Sequence, residues 1–543
     1  MSLLSPMLMT GLFSVWALLI TTALAQAAAA PLNVVVIKTD DQRWDTLWAM
    51  PLVQEHLVRR GVLFRNAFVS SPLCCPERAS FLAGGFHTHN TGVLTNELPN
   101  GGALKFFDTD TLPVRLQRAG YRTAMIGKYL NDYVLLQPYI PPGWTTFIQA
   151  TGGTDWTVYP ATIGSSTPDA PAQGVEVQMS QYLTDFLQAQ AVNFIREADA
   201  SPFFLYLAPF APHTPAIPAP DDAALFANYL YRARGYKEDD VSDKPYGQDS
   251  IPRYDTALRD ALHRRQLQSL QAVDRTVGAV VQELERRGQL EQTLLVFLSD
   301  NGYLWGEHWQ EGKVQPFEES IRVPLVVRMP GVLPREDARL IVANLDVPTT
   351  IFEVAGIPRT DTDGQSLWPL LLDPQREWRS EFLIESYSAH KKWFWAGLRT
   401  DRYKYVEYAT GPKMLFDLLQ DTYELQNQID NPAVQSLVQT LAARLDTLKG
   451  LAVISPPPPP GTVGLHFAWQ LAAWGGAQPY LWALVEGSLP PGLTLERDTE
   501  RVAGTPTQAG TFSTRIQATD ASVSPYSGGP QTHIRPFTFV INP

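Results

Sequence analysis

The chain contains two cysteines in 543 residues, and they are neighbours, Cys74 and Cys75. Adjacent cysteines have little scope for an unstrained bridge, so they are not predicted to form a disulfide framework. One interpretation is structural, with both thiols buried ahead of a helix that begins near Pro76. The other is that Cys74 has a chemical role, and the rest of the sequence has to decide between the two.

Oxygen-bearing side chains follow two runs that are predicted as buried strands of an α/β sheet. The runs and side chains are Asn33–Ile37 with Asp40 and Asp41, and Thr293–Leu298 with Asp300 and Asn301. Binding groups gather where such strands end. Carboxylate and amide oxygens favour Ca²⁺ or Mg²⁺, and the histidine and thiolate ligands that would indicate zinc are absent from these two sequence clusters. Taken alone, adjacent acids are more typical of a helix cap or a solvated turn.

Cationic side chains follow other predicted strands. Lys128 comes after a turn and a strand, a position that surface lysines also take. His213 lies between Pro212 and Pro215 after the strand Phe203–Leu207, where a core-filling role is not expected. Groups that bind an anion here would have to overcome the formal net charge of -12. That charge argues against a nucleic-acid partner.

The spacing Cys74-x-Pro76-x-Arg78, followed by Ala-Ser-x-Leu-x-Gly, resembles the type I sulfatase signature, in which the first cysteine is oxidised to formylglycine. Other segments that resemble that family are Gly120–Tyr129, Gly306–Lys313 and Asp363–Leu367. The resemblance covers residues 32 to 450. It therefore favours the chemical interpretation of Cys74.

Within the family, the sequence looks most like the N-acetylglucosamine-6-sulfatase branch. The double cysteine and the segments Lys128–Asn131 and Ile140–Trp144 carry that likeness. Two positions depart from the commoner family pattern. Glu77 stands where Ser is commonest, in the segment that the modifying enzyme reads, and Leu130 stands where many members have His. Conversion of Cys74 remains the expectation.

The resemblance implies a role for each of these residues. A formylglycine hydrate at position 74 offers one hydroxyl to attack sulfur and a second to expel the sulfate afterwards. The implied ligands of one divalent cation, with Ca²⁺ expected, are Asp40, Asp41, the modified Cys74, Asp300 and Asn301. The implied catalytic and sulfate-binding residues are Cys74, Arg78, Lys128, His213 and Lys313. His213 or Lys313 would protonate the leaving alcohol, and Cys75 is expected to be dispensable.

The predicted function is hydrolysis of sulfate esters, with a sulfated sugar such as glucosamine 6-sulfate as the expected substrate. Two other classes stay open from sequence alone. A phosphodiesterase or phosphonate hydrolase could use the same scaffold, since a formylglycine and a cation also serve phosphoryl transfer. A non-catalytic glycan-binding protein would keep Cys74 as a thiol and use its C-terminal module for adhesion.

The resemblance implies an α/β fold, with an alkaline-phosphatase-like mixed central sheet flanked by helices and a small C-terminal antiparallel-sheet subdomain. After a polyproline run, short strands divided by turn signals predict an all-β Ig-like sandwich. The predicted boundaries are 31–375 for the catalytic domain, 376–450 for the subdomain, 451–462 for a Pro-rich linker and 463–543 for the Ig-like module. Residues 151–179, rich in Gly, Pro, Ser and Thr, are predicted to loop over the surface.

Residues 1–30 contain an apolar run and then Ala23-Leu24-Ala25, the small-x-small pattern of a cleavage site. They are predicted to form a secretory signal peptide, with an uncleaved N-terminal anchor as the alternative. No later stretch of the sequence is apolar for long enough to predict a membrane span. The protein is therefore expected to be exported, periplasmic or extracellular, and to need a formylglycine-generating enzyme as its maturation partner.

Overall fold

The computed structural model describes residues 31–151, 156–246, 255–358, 362–387, 395–453, 455, 457–474, 479–520 and 532–543. The predicted signal peptide, residues 1–30, lies outside the described residues. Within these ranges, no helix has both the length and the apolar character needed to cross a membrane.

A ten-stranded mixed sheet lies at the centre of the larger part of the chain. Its strands are β1 Asn33–Thr39, β2 Val62–Phe68, β3 Arg122–Gly127, β4 Thr146–Ala150, β5 Tyr159–Gly164, β6 Val175–Met179, β7 Phe203–Ala208, β8 Thr293–Ser299, β9 Leu325–Arg328 and β10 Arg335–Val342. Their order across the sheet is β10-β2-β9-β8-β1-β7-β3-β4-β5-β6. The central strands β8, β1, β7, β3 and β4 run parallel, and β9 and β5 continue the sheet in antiparallel pairs.

The α-helices of the described residues are α1 Pro51–His56, α2 Cys74–Leu82, α3 Thr88–Thr91, α4 Leu112–Arg118, α5 Leu183–Arg196, α6 Thr256–Arg286, α7 Glu318–Ile321, α8 Ala343–Val354, α9 Trp368–Leu372 and α10 Gln435–Leu448. The longer helices cover both faces of this sheet, except α10, which packs against the small C-terminal sheet. Alternate residues of β1 enter two separate cores, Val34 and Val36 with α2, α4 and α8, and Val35 and Ile37 with α5 and α6. A strand covered on both sides explains the unbroken β-branched run in the sequence.

The parallel strands end at one edge of the sheet, since they are in register, with Thr39 of β1 opposite Ser299 of β8. Side chains that follow these ends are therefore brought together. They are Asp40 and Asp41 after β1, Asp300 and Asn301 after β8, and Lys128 after β3. Gly127, which precedes this lysine, has φ +121°, and a Cβ there would lie 2.1 Å from the carbonyl oxygen of Ala208. A glycine is needed for that close approach of the strands.

A four-stranded antiparallel sheet forms the subdomain that was predicted next. Its strands are β11 Glu381–Ser386, β12 Trp395–Thr400, β13 Tyr403–Tyr408 and β14 Lys413–Asp417. One face packs against α10 through Leu441 and Leu445. The other face shares a core with the main sheet, in which the rings of Phe68 and Phe382 lie 5.1 Å apart. The subdomain thus closes one end of the main sheet.

The C-terminal region is a β-sandwich, in agreement with the prediction. A four-stranded sheet and a three-stranded sheet enclose a core that includes Trp469, Trp482 and Phe539. The strands of the region are Ala452–Val453, Gly461–Thr462, Phe467–Gln470, Ala473–Trp474, Leu481–Gly487, Leu493–Glu496, Arg501–Gly504, Gly510–Thr519 and Thr532–Asn542. Two of these strands are very short and lie near either end of the predicted linker. The linker boundaries remain a prediction.

The prediction that residues 151–179 only form loops is wrong for three segments, which are β5, β6 and the two-residue strand Ala172–Gln173. β5 and β6 pair with each other and extend the main sheet at its edge. Aromatic and β-branched residues such as Tyr159, Ile163 and Val175 suit β-strands, and here they outweigh the glycines and prolines, two of which, Pro160 and Gly164, lie within β5 itself. Residues 152–155 lie outside the described residues.

Candidate active site

Cys74 is the first residue of α2, which begins after an extended Leu73. Pro76 fits in the first turn because the N–H groups of that turn have no intrahelical acceptor. Every residue of α2 is buried. The Cys74 Sγ lies 3.4 Å from Oδ1 of Asp40, so the start of the helix meets the end of β1.

Four buried side chains with oxygen ligands face one another at this edge of the sheet: Asp40, Asp41, Asp300 and Asn301. Asn301 Nδ2 donates to Oδ1 of Asp41 at 2.7 Å, and the backbone N–H of Asp41 donates to Oδ1 of Asp300 at 3.1 Å. The structure therefore brings together the two pairs of residues that the sequence separates by about 260 positions.

Three cationic side chains contact these carboxylates. Lys128 Nζ lies 2.5 Å from Oδ2 of Asp40. Lys313 Nζ contacts Oδ1 of Asp41 and lies 2.6 Å from Sγ of Cys74. The third is Arg78. These cations, Cys74 and the oxygen ligands together form what we call the reaction cluster.

Arg78 lies one helical turn beyond Cys74 and is fully buried. Its Nε donates to Oδ2 of Asp300 at 2.9 Å, and its Nη1 donates to the carbonyl oxygen of Lys128 at 3.0 Å. The guanidinium therefore ties α2 to the ends of β8 and β3. A planar group with several donors suits this bridging position, which a lysine ammonium could not fill in the same way.

His213 borders the reaction cluster and is the member most open to solvent, with 33% of its side chain exposed. Its Nε2 lies 3.8 Å from Oδ2 of Asp41. Its Nδ1 lies 2.6 Å from the carbonyl oxygen of Thr214. Because a carbonyl oxygen can only accept, Nδ1 carries the hydrogen in the neutral ring, and Nε2 faces the cluster as the atom that can take up or release a proton.

The charges of the reaction cluster shift the pKa values of its members. Burial alone would raise the pKa of Asp40, but Lys128, His213 and Arg78 hold it well below its ordinary value. Burial lowers the pKa of Lys313, yet Asp41 raises it well above that of a free lysine. Burial, followed by the charge of Asp40, raises the pKa of the Cys74 thiol. An unmodified Cys74 surrounded by these protein groups therefore favours the neutral thiol, which is a poor nucleophile.

The oxygen atoms of the reaction cluster provide a donor set for a metal ion. Oδ1 of Asn301 is buried and has no hydrogen-bond partner among the described residues. Ligand atoms of Asp40, Asp41, Cys74 and His213 lie within 4.8 Å of one another. An unpaired amide oxygen beside three carboxylates provides the hard oxygen ligands that a divalent cation requires. The residues present therefore fit a metal ion.

A family model described as Sulfatase matches residues 32–357, more than half of the chain. The chain belongs to the sulfatase family. Members of this family are sulfuric ester hydrolases that carry a metal ion and a formylglycine, so the predicted class of enzyme is confirmed. A second model, N-sulphoglucosamine sulphohydrolase, C-terminal, matches residues 306–450, and an Ig-domain model matches residues 450–534.

Several curated sulfatases are similar in sequence. The N-acetylglucosamine-6-sulfatase of Homo sapiens is 33% identical over 374 residues, which are 65% of this chain and 67% of the relative. The arylsulfatase of Volvox carteri is 30% identical over 507 residues, 80% of this chain and 77% of the relative. An extracellular sulfatase Sulf-1 homologue of Caenorhabditis elegans is 32% identical over 376 residues. The match spans 52% of that longer protein and 65% of this chain.

Solved structures confirm the alkaline-phosphatase-like fold. A protein in complex with its substrate D-glucosamine-2-N,6-O-disulfate superposes with a TM-score of 0.65 at 21% identity, covering 77% of this chain and 97% of the other. The phosphonate monoester hydrolase of Agrobacterium radiobacter gives a TM-score of 0.63 at 24% identity, covering 77% and 95%. At these levels of sequence identity, the superpositions show that this chain shares its fold with the two proteins.

Three further residues, Cys75, Leu130 and His308, lie outside the reaction cluster of this sulfatase. Cys75 packs in the core, where burial raises the pKa of its thiol to about 12. Leu130 packs in the same core. His308 is fully buried, with acidic residues around it. Burial lowers its pKa to about 3, so its ring is neutral. In this position His308 does not reach the reaction cluster directly.

Sequence reasoning missed the partner of Glu77. Lys38 Nζ donates to Oε1 of Glu77 at 2.6 Å, both side chains are fully buried, and the ammonium lies 3.8 Å from the centre of the Phe81 ring. Burial lowers the pKa of Lys38 to about 8 and raises that of Glu77 to about 7, and the attraction between the two opposes both shifts. A lysine inside the apolar run of β1 was the available signal, because a buried cation requires an anionic partner.

Proposed function

We propose that this sulfatase removes the sulfate ester from a sulfated sugar, with the 6-sulfate of a glucosamine as the favoured substrate. The reaction uses a formylglycine made from Cys74 and one Ca²⁺. The observation that carries the proposal is the position of Cys74 Sγ, 3.4 Å from a carboxylate oxygen of Asp40 and 2.6 Å from the ammonium of Lys313. The oxygen that replaces this sulfur when Cys74 is converted to formylglycine would touch both the cation ligands and a donor to sulfate.

Asp40, Asp41, Asp300 and Asn301 are the residues that would hold the cation together with the modified side chain at position 74. Four neutral or anionic oxygen donors in a buried cluster favour Ca²⁺ over metals that prefer nitrogen or sulfur. When present, the formylglycine hydrate supplies a hydroxyl nucleophile and the cation supplies Lewis-acid stabilisation of negative charge. The chain's own residues account for the binding of sulfate and for the movement of protons.

Lys128, Lys313 and Arg78 would neutralise the sulfate group and the charge that develops during its transfer. Preorganised cations in a site that excludes water stabilise such charge more strongly than cations in solution. Two lysines contact Asp40 and Asp41, which are also predicted cation ligands. Their ammonium groups become available to sulfate oxygens when those carboxylates coordinate the ion.

His213 is the group that would protonate the leaving alcohol. Its Nε2 faces the reaction cluster, and the hydrogen bond from Nδ1 to the carbonyl oxygen of Thr214 fixes the ring orientation. Partial exposure lets this histidine exchange protons with solvent, and imidazole is the side chain that most often transfers protons in catalysis. Lys313, which is closer to position 74, is the second candidate for this proton transfer.

The proposed substrate and the proposed location rest on the similarity to the relatives. The 33% identity over 374 residues to a named N-acetylglucosamine-6-sulfatase favours a glucosamine 6-sulfate over other sulfated sugars. The apolar residues 1–30 and the similarity to proteins described as extracellular sulfatases support export, with the maturation enzyme acting before or during that export. The domain limits of 31–375, 376–450, 451–462 and 463–543 belong to the same proposal.

The test uses full-length protein coexpressed with a formylglycine-generating enzyme. Peptide mass spectrometry across Cys74 is expected to find the aldehyde, and glucosamine 6-sulfate is expected to be turned over with release of inorganic sulfate. A panel of aryl sulfate, phosphodiester and phosphonate esters compares the rival reactions. Faster turnover of a phosphodiester or a phosphonate than of any sulfate would overturn the substrate class. Glycan binding with an intact thiol and no sulfate release would support the non-catalytic alternative.

A further inference from the structure

A second group of possible metal ligands lies outside the reaction cluster. It comprises His308, Glu319 and Glu424, which we call the inner cluster. One ligand atom of each residue lies within 4.8 Å of the others, and all three side chains are more than nine-tenths buried. The three come from different parts of the chain: a loop after β8, the helix α7 and a turn after β14.

His308 is held in the tautomer that a metal ligand needs. Its Nδ1 lies 2.6 Å from Oε2 of Glu238, a carboxylate oxygen that accepts the ring hydrogen. Nε2 therefore carries the lone pair in the neutral ring. This Nε2 is fully buried and has no hydrogen-bond partner among the described residues. A histidine that donates one ring N–H to a carboxylate and presents the other nitrogen is the usual arrangement of a metal-binding histidine.

Glu319 is the second unpartnered group. Its Oε2 is buried without a hydrogen-bond partner in the described part of the chain. The other nearby acids are matched: Glu424 by Lys404 at 2.5 Å, Glu318 by Arg399 at 3.0 Å, and Glu238 by Lys244 at 3.0 Å. A buried carboxylate without a partner carries a large desolvation cost, which a proton or a bound cation can remove.

We propose that the protein binds a second metal ion, a Zn²⁺-like dication, between Nε2 of His308 and the carboxylates of Glu319 and Glu424. One imidazole nitrogen with two carboxylates is a zinc donor set, whereas the reaction cluster offers mainly hard oxygen ligands. The three ligand atoms lie within 4.8 Å of one another, so only small side-chain adjustments would bring each of them to the zinc bond length of about 2.0–2.2 Å. The ion would replace the missing partner of Glu319.

The position of the inner cluster gives this ion a structural role. His308 lies five residues before Lys313, whose ammonium contacts Cys74. Glu424 lies in the antiparallel subdomain, in the turn after β14, and its Oε2 accepts from the N–H of Glu318. A metal bound here would therefore join the loop that carries Lys313 to the subdomain. The ring of Phe317, 4.0 Å from that of His308, closes the cluster on one side.

The test measures the metal content of the full-length protein, made with the maturation enzyme in zinc-supplemented medium and dialysed into metal-free buffer. Elemental mass spectrometry is expected to find about one zinc per chain in the wild type. His308→Gln and Glu319→Gln are each expected to lower that content at least about tenfold, since each removes one of three ligands. Wild-type protein without zinc, or variants with wild-type zinc content, would overturn the proposal.

Two control variants separate this site from other causes. Asp300→Asn alters the reaction cluster and is expected to keep the zinc. His263→Gln is also expected to keep it, and changes another buried histidine that has no hydrogen-bond partner in the described part of the chain. Equal zinc loss in either control would overturn the assignment to the inner cluster. If the ligand variants fail to fold, zinc-edge X-ray absorption of the wild type decides instead. Nitrogen and oxygen ligands at about 2.0–2.2 Å support the site, and sulfur at about 2.3 Å would overturn it.

Discussion

The reaction cluster and the inner cluster both contain buried carboxylates, and the stretch from Asp300 to Ile321 contributes to both. They differ in access. His213 and Lys313 keep the reaction cluster open, with 33% and 14% of their side chains exposed. In the inner cluster, His308 and its neighbour Lys404 are completely buried. One cluster can exchange its partners with a substrate, and the other cannot.

The pairing pattern differs in the same way. In the reaction cluster, Lys128 and Lys313 contact carboxylates that are predicted to have a second use as cation ligands. In the surroundings of the inner cluster, Lys404 bridges Glu318 and Glu424 and has no route to solvent. Charges that serve chemistry are thus held by partners that can be replaced, whereas charges that serve the fold are held by fixed partners. Variants that remove equivalent charges from the two regions should separate activity from stability.

Cys74→Ala is expected to have the largest effect on activity. Removal of the side chain that is proposed to become the nucleophile should lower kcat/KM by at least about 10⁴-fold. The unfolding midpoint should change little in comparison, because the small side chain leaves only a small cavity. The measurement combines sulfate release with chemical denaturation. Cys75→Ser is the control and should retain turnover. Activity in the Cys74→Ala protein would refute the assigned nucleophile.

Lys313→Met and Lys404→Met form a matched pair of lysine removals. Lys313→Met should lower kcat about 10²–10³-fold, since one preorganised cation is lost from the transition state. Lys404→Met leaves Glu318 and Glu424 less well neutralised and should lower the free energy of unfolding by about 3 kcal/mol. Its activity, measured well below the midpoint, should stay near that of the wild type. The comparison fails if Lys404→Met lowers kcat as much as Lys313→Met does.

Sequence reasoning predicted most of the reaction cluster because its signals are local. Each predicted strand end carries its own marker, such as Asp40 after β1 or Asp300 after β8, and parallel strands bring such ends together by geometry alone. The cysteine motif and the family resemblance then supplied the chemistry. The roles assigned to the individual residues remain predictions, although the structure brings those residues together.

The inner cluster and the Lys38–Glu77 pair could not be predicted in this way, because their partners lie on elements whose packing is not encoded locally. Glu424 meets His308 only through the contact between the subdomain and the main sheet. Glu77 was noted in the sequence only as a departure from the family motif. The burial of β1, which carries the partner of Glu77, is what explains an acid at this position. The strand β5 was missed because turn residues obscured a short β-forming segment.

Lys38→Met tests whether Glu77 depends on its buried partner. The substitution leaves an unpaired carboxylate in the core and should lower the free energy of unfolding by about 3 kcal/mol at neutral pH. The double variant Lys38→Met/Glu77→Leu removes both charges and should recover most of that loss. Denaturant midpoints of the wild type, both single variants and the double variant give the coupling energy. Additive losses in the double variant would show that the pair is not coupled.

The smallest expected effect concerns pH and His263, a buried histidine that stacks on Trp305 with ring centres 4.7 Å apart. Burial, followed by the charge of Arg43, lowers its pKa to about 3, and Asp260 only partly opposes this. The folded protein thus keeps the ring neutral, whereas the unfolded chain binds a proton below about pH 6.5. Stability is therefore complete above that pH and declines as the pH falls towards 3.

At pH 5 this one residue should cost about 1–2 kcal/mol of unfolding free energy relative to pH 7. His263→Phe keeps a ring against Trp305 and removes the titrating group, so its stability should fall less steeply between pH 7 and pH 5. Denaturant unfolding of both proteins at the two pH values measures the difference. If the stability of both proteins falls equally between pH 7 and pH 5, the acid sensitivity of the fold arises elsewhere. The carboxylates of the two clusters would then be the next groups to vary, since their burial already opposes the charged state.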